Sequence, residues 1–154
     1  MQIKKGGLDD GRVIALLRHH FETCLAVTPP SSAHVFDVSR LQSPDVDFWT
    51  IWDGEALLCT GAMKRLSAEH GEVKSMHTAS SARRRGAGAM MVRHIIEAAR
   101  TTGIRRLSLE TGSFAFFAPA VALYKQHGFA ECPAFEGYQP DPNSLFLTLP
   151  LDGG

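Results

Sequence analysis

Three consecutive arginines, Arg83, Arg84 and Arg85, run into Gly86-Ala87-Gly88 at the head of a long amphipathic segment. Glycines at the mouth of a helix let its free backbone N–H groups approach a ligand without interference from a Cβ. The helix dipole adds positive partial charge at the same place, and guanidinium groups grip phosphate oxygens. The chemistry suited to this turn is capture of a small phosphorylated anion. A P-loop would need Lys and then Ser or Thr after the second glycine, where Ala89 and Met90 stand. A dinucleotide fingerprint would need a third glycine in place of Met91, although Glu110 lies at a tolerable distance for a ribose contact. A nucleotide-binding oxidoreductase therefore stays as a rival.

What remains is R-x-x-G-x-G opening a helix that follows a strand. With it go Thr101-Thr102-Gly103, which ends that helix, the buried-strand pattern RRLSLE at 105–110, and AVALYKQHGF at 120–129. In order and spacing these motifs resemble the GCN5-related N-acetyltransferases, the GNAT superfamily, whose coenzyme A loop reads Q or R-x-x-G-x-G or A and whose later helix reads A-x-x-L-Y-x-x-x-G-F. The resemblance covers about residues 47 to 149 and weakens toward the N-terminus. It implies an α/β GNAT fold, a mixed, mostly antiparallel twisted sheet with helices on both faces.

The resemblance further implies transfer of acetyl from acetyl-CoA to a primary amine of a small molecule or peptide, by direct attack in a ternary complex. A non-catalytic acyl-CoA sensor or partner-binding module on the same fold is the alternative. Mapped by the motifs, Arg83, Arg84, Gly86 and Gly88 hold the pyrophosphate, with Ala87 and Ala89 lending backbone N–H groups and Arg85 facing outward. Met76, His77 and Thr78 bind the cofactor, the main chain of Met76 and Thr78 pairing with pantetheine. Tyr124 matches the tyrosine whose hydroxyl protonates the coenzyme A thiolate, a task within the range of a phenol. Glu72 stands where Gcn5-like enzymes carry a strand glutamate acting as general base, with Glu110 and His77 in reserve. Many members place an asparagine at the position of Phe117, and Ser113 or Thr111 would have to substitute for its cofactor contact.

The elements that position these groups can be read from the pattern. Met1 to Lys5 opens as a short strand, and Val13, Leu16, Leu17, Phe21 and Leu25 recur at helical spacing after Asp9 and Asp10. His19 and His20 are adjacent on that helix, so they point about 100 degrees apart, share no metal and belong to the surface. After the prolines at 29 and 30, a shorter helix covers Ala33 to Leu41; by analogy His34, Phe36 and Asp37 border the acceptor, although core and solvated face is the plainer reading. Asp47–Trp52 and Glu55–Leu66 read as a hairpin about Asp53-Gly54, with a bulge or close backbone approach at Gly61. Gly71–Thr78 is the strand that delivers the phosphate turn, and Ala87–Thr102 the helix, with Met91, Val92, Ile95, Ile96 and Ala99 facing inward. Phe114, Phe116 and Phe117 either wall an acceptor pocket or join the core. A helix from Pro119 to Gln126 and strands at Phe129–Cys132 and Ser144–Leu149, flanking the loop 133–143, complete the order.

Composition sets outer bounds. A chain of 154 residues with 44% hydrophobic content suits a single domain spanning 1–154. A formal charge of zero gives no broad basic footprint, so neither nucleic acid nor membrane is expected as a partner. Cys24, Cys59 and Cys132 lack C-x-x-C spacing and read as buried thiols in a reducing cytoplasm, with no metal site. A homodimer is compatible with the resemblance.

Overall fold

The computed structural model describes residues 1–27, 38–82, 85–113, 115–135 and 137–151. Seven strands form one sheet in the order β1-β2-β3-β4-β5-β7-β6. They are β1 (Gln2–Lys5), β2 (Val46–Asp53), β3 (Ala56–Arg65), β4 (His70–Thr78), β5 (Arg106–Gly112), β6 (Ala130–Glu131) and β7 (Ser144–Pro150). Every neighbouring pair is antiparallel except β4 and β5. Helix α1 (Gly11–Val27) lies on one face, and α2 (Ala87–Thr101) and α3 (Ala118–Gln126) lie on the other. Among the described residues no helix is long and apolar enough to cross a membrane.

Alternation along the strands sorts the core into two layers. Phe48, Trp52 and Ala62 meet Val13 and Leu17 of α1. Trp49, Ile51, Met63, Val73, Leu107, Leu109 and Leu147 meet α2, whose expected inward residues, Met91, Val92, Ile95, Ile96 and Ala99, are all buried. Asp10 starts α1 by accepting the Arg12 amide at 2.8 Å. The Asp53-Gly54 hairpin turns through Gly54 at φ 58. The segment expected to form a helix from Ala33 lies outside the described residues up to position 37, and Val38–Gln42 is a 3-10 turn.

The parallel pairing of β4 with β5 is brief. It joins His70, Gly71 and Glu72 to Arg106, Leu107 and Ser108. Beyond that point β4 stays with β3 as far as Thr78, while β5 follows β7 as far as Gly112. A wedge opens between the two strands with Glu72 and Ser108 at its apex. An irregularity in β4 accompanies the parting. Thr60 pairs with His77 and Ala62 with Lys74, so β4 carries one extra residue there, and Ser75 sits at φ 55. The buried Thr60 hydroxyl secures this bulge by donating to the Ser75 carbonyl at 2.8 Å.

The register shifts beside Gly61, as expected, while the close approach at this glycine is made by methionine side chains and not by backbone. A Cβ at this position would lie 2.6 Å from Met91 Cγ and 3.0 Å from Met76 Sδ. Gly61→Ala should therefore overpack the layer under α2 and cost about 1–3 kcal/mol. Urea denaturation checks this; an unchanged midpoint would mean that α2 can be lifted freely off β3.

Candidate active site

The first turn of α2 begins with Gly86 in the left-handed region at φ 83, and no side chain caps it. The earliest amide to find a helical carbonyl is Met90, donating to Gly86 O at 3.0 Å. The N–H groups of Ala87, Gly88 and Ala89 thus have no partner among the described residues, at the positive end of the helix dipole. Ala87 is buried and anchors the turn from beneath. A Cβ on Gly88 would lie 3.2 Å from Leu123 Cδ2 and 3.3 Å from Thr78 Oγ1, so glycine is what lets α2, α3 and the end of β4 converge. Arg85 points away, as expected, and pairs with Asp53 in the β2–β3 turn. Its guanidinium holds the Asp53 carboxyl below the usual carboxylate range. Arg83 and Arg84 lie outside the described residues.

Beneath this turn, β3, β4 and α3 bring Cys59, Thr78 and Tyr124 together. The Thr78 hydroxyl donates to Cys59 Sγ at 3.7 Å, and burial pushes that thiol up to about 11. The Tyr124 ring packs edge-on to Phe129 at 5.6 Å, and burial, reinforced by Cys59, raises its phenol above the ordinary value. No hydrogen bond engages the Tyr124 hydroxyl among the described residues, and none of their buried side-chain oxygens lacks a partner. Its oxygen therefore keeps contact with solvent, although the residue as a whole is 6% exposed.

β4 presents its other face to α1. His77 stacks on His20 at 4.4 Å between centroids, and His19 stands at 6.3 Å. The expectation of a surface His20 needs correcting. It is half-buried, with Cys24 Sγ 3.8 Å from its Nε2, because α1 lies over the end of β4, and burial lowers its pKa. Among the described residues no three His, Cys, Asp or Glu side chains are grouped to hold a metal. Met76 turns back toward Met91 and Gly61, leaving its main chain along the wedge.

At the apex stands Glu72, a carboxylate only 4% exposed. The Tyr138 hydroxyl donates to its Oε2 at 2.6 Å, and Lys74 Nζ lies 3.6 Å from the same oxygen. Glu110 accepts from Ser144 Oγ at 2.9 Å on the neighbouring strand. Burial, followed by the bond to Glu72, raises the Tyr138 phenol. Tyr138 is the residue that sequence reasoning missed. It is one of two tyrosines in the chain, and its place in a proline-rich loop gave no sign of the strand it would reach. Ser113 is tied to Pro142 O at 2.7 Å and so is engaged by this loop, whereas Thr111 pairs with Leu145 in the sheet. Phe117 lies against Gly112. Phe114, His34, Phe36 and Asp37 are outside the described residues, as is the side chain of Phe116.

Comparison with known proteins agrees with this geometry. The acetyltransferase (GNAT) family model matches residues 12–129. The uncharacterized N-acetyltransferase YedL of Escherichia coli is 45% identical over 149 residues, covering 97% of this chain and 94% of that protein. The uncharacterized N-acetyltransferase YsnE of Bacillus subtilis is 42% identical over 151 residues, 98% of this chain and 100% of its own. Among solved structures, a Bacillus subtilis acetyltransferase in complex with CoA superposes with a TM-score of 0.71 at 19% identity, over 97% of this chain and 98% of the other. The chain thus belongs to the GNAT family of acetyltransferases, whose acetyl donor is acetyl-CoA.

Proposed function

We propose that this enzyme transfers acetyl to a primary amine of a small molecule or peptide, with donor and acceptor meeting in the wedge between β4 and β5. The observation that carries this reading is the uncapped, glycine-opened start of α2 beside the wedge. Three unpartnered amides, a dipole end and a close approach reserved by Gly88 fit a pyrophosphate. The β4 main chain at Met76 and Thr78, which no longer pairs with β5, fits an amide-bearing arm such as pantetheine. Arg83 and Arg84 add charge next to the same turn in the sequence. Acetyl-CoA, when bound, supplies a thioester-activated acetyl group.

The chain's own groups cover the proton transfers. Glu72 takes the proton of the incoming ammonium, directly or through one water, so that a neutral amine attacks. A main-chain N–H of β4 near Met76 to Thr78 polarises the acyl carbonyl. Tyr124 keeps its proton on a hydroxyl that reaches the cleft, ready for a departing thiolate. The His77 ring, expected among the cofactor contacts, lies on the α1 side against His20, so its side chain is assigned here to the acceptor side and only its main chain to the donor. The two faces of β4 thereby separate the acceptor from the nucleotide end of the donor.

Ala89→Glu tests the donor site without threatening the fold. A carboxylate in the first turn of a helix favours it by about 0.3–1 kcal/mol, yet repels a pyrophosphate bound to the same amides. Calorimetry should show acetyl-CoA affinity falling at least about tenfold, about 1.4 kcal/mol, with the thermal midpoint unchanged or raised. Equal affinity in both proteins would remove the site.

Tyr124→Phe tests the acid. Release of coenzyme A is followed across a panel of primary amines that includes tyramine, spermidine and peptides with free α-amino groups. With the best acceptor, kcat should drop about 100-fold while the calorimetric Kd for acetyl-CoA holds. An unchanged kcat would reduce Tyr124 to a packing residue.

A further inference from the structure

The loop between β6 and β7 carries none of the residues assigned to the donor, yet it delivers a hydroxyl to the apex of the wedge. Its path is fixed at several points. The Ser113 amide and hydroxyl donate to Asn143 O at 3.1 Å and Pro142 O at 2.7 Å, and Cys132 N donates to Phe146 O at 2.9 Å. Within the loop, Tyr138 N donates to Phe135 O at 3.0 Å across Gly137, whose φ is 81. The Tyr138 ring then packs on Phe135 and Phe146, with centroids 5.3 and 5.7 Å away. Packing alone would be served by a third phenylalanine. Of the three rings, the one that reaches Glu72 is the one with a hydroxyl.

At 2.6 Å, that contact has the length of an O–H···O⁻ bond, about 2.5–2.7 Å. Tyr138 is the hydrogen-bond donor to Glu72 among the described residues, since Lys74 stands off at 3.6 Å. Both of these partners are on Oε2. Oε1 accepts no hydrogen bond from a described residue, and because no buried side-chain oxygen among them is left without one, Oε1 must retain an open surface. The carboxylate is held by one oxygen and offered by the other.

We propose that Tyr138 is a positioning residue: by donating to Oε2 it fixes the Glu72 carboxylate with Oε1 turned to the wedge, where the acceptor's ammonium must give up its proton. The inference rests on the base role assigned to Glu72 above. A loop with no acid–base task of its own would thus set the rate by orienting a group on β4. Without the hydroxyl, the cation paired with Glu72 among the described residues is Lys74, and a carboxylate drawn onto it along the strand would be turned from the acceptor.

Tyr138→Phe removes the hydroxyl and keeps the ring. With the best amine of the panel, kcat should fall about tenfold and the thermal midpoint by a few degrees, because the buried carboxylate loses its donor, while the calorimetric Kd for acetyl-CoA stays as in wild type. In a Glu72→Gln background the same substitution should have no further effect on kcat, because there is no base left to orient. An equal loss in both backgrounds, or an unchanged kcat in Tyr138→Phe alone, would overturn the proposal. A crystal structure of Tyr138→Phe needs no acceptor and supplies an independent readout. Displacement of the Glu72 carboxylate toward Lys74 is expected, and a carboxylate left in place would overturn the orienting role. If no amine on the panel is acetylated, it is the proposed function that fails, and the crystal structure still decides whether Tyr138 positions Glu72.

Discussion

A strand inside a sheet normally satisfies its backbone groups on both sides, and β4 does so with β5 for only three residues. From Val73 onward its β5-facing edge has no ladder partner, although the strand remains in the middle of the sheet. Buried polar backbone left without partners is costly, so such an edge persists where water or a ligand can reach it. The other features of the site follow from this parting. Glu72 occupies the apex because it belongs to the last paired residues, and α2 starts beside the wedge because the chain leaves β4 there and must cross the sheet to reach β5.

The surroundings are built to let the strand diverge without loosening the core. Gly61 lets Met91 and Met76 close over β3 just where the register shifts. Gly88 does the same for the junction of α2 with Leu123 and Thr78. The two glycines act through the side chains they omit, one keeping the layer under α2 dense and the other leaving the helix start accessible. Thr60, fully buried, uses its hydroxyl to tie down the irregular carbonyl. A polar group in the core here secures a distortion of the backbone.

Much of this was legible from local pattern. The apolar spacing of α2, the glycines ahead of it, the Asp53-Gly54 hairpin and the L-Y-x-x-x-G-F segment are short-range signals, and each element formed where those signals placed it. Tyr138 was not legible, because its role depends on meeting a residue 66 positions away through a loop whose course is set by ties to Ser113 and by ring packing. His20 was misread for the same kind of reason. Helical spacing says which way a side chain leaves α1, but not that the end of β4 lies beneath it. The arginines at 83 and 84 show a clear charge pattern in the sequence, while their placement is outside the described residues.

The extra residue at Ser75 changes the parity of β4. Before it, Glu72 and Lys74 occupy the face toward α1 and Val73 the face toward α2; after it, odd-numbered His77 joins the first set, and Met76 and Thr78 join the second. An uninterrupted strand would have sent Thr78 toward α1 and His77 beneath the helix start. The bulge thus absorbs a frameshift in three dimensions, and it decides which face of the sheet carries the imidazole and which the hydroxyl. A descendant that deleted the extra residue would leave His77 and Thr78 on their present faces along a regular strand, whereas one that kept the residue but paired it in register would exchange the linings of the two faces.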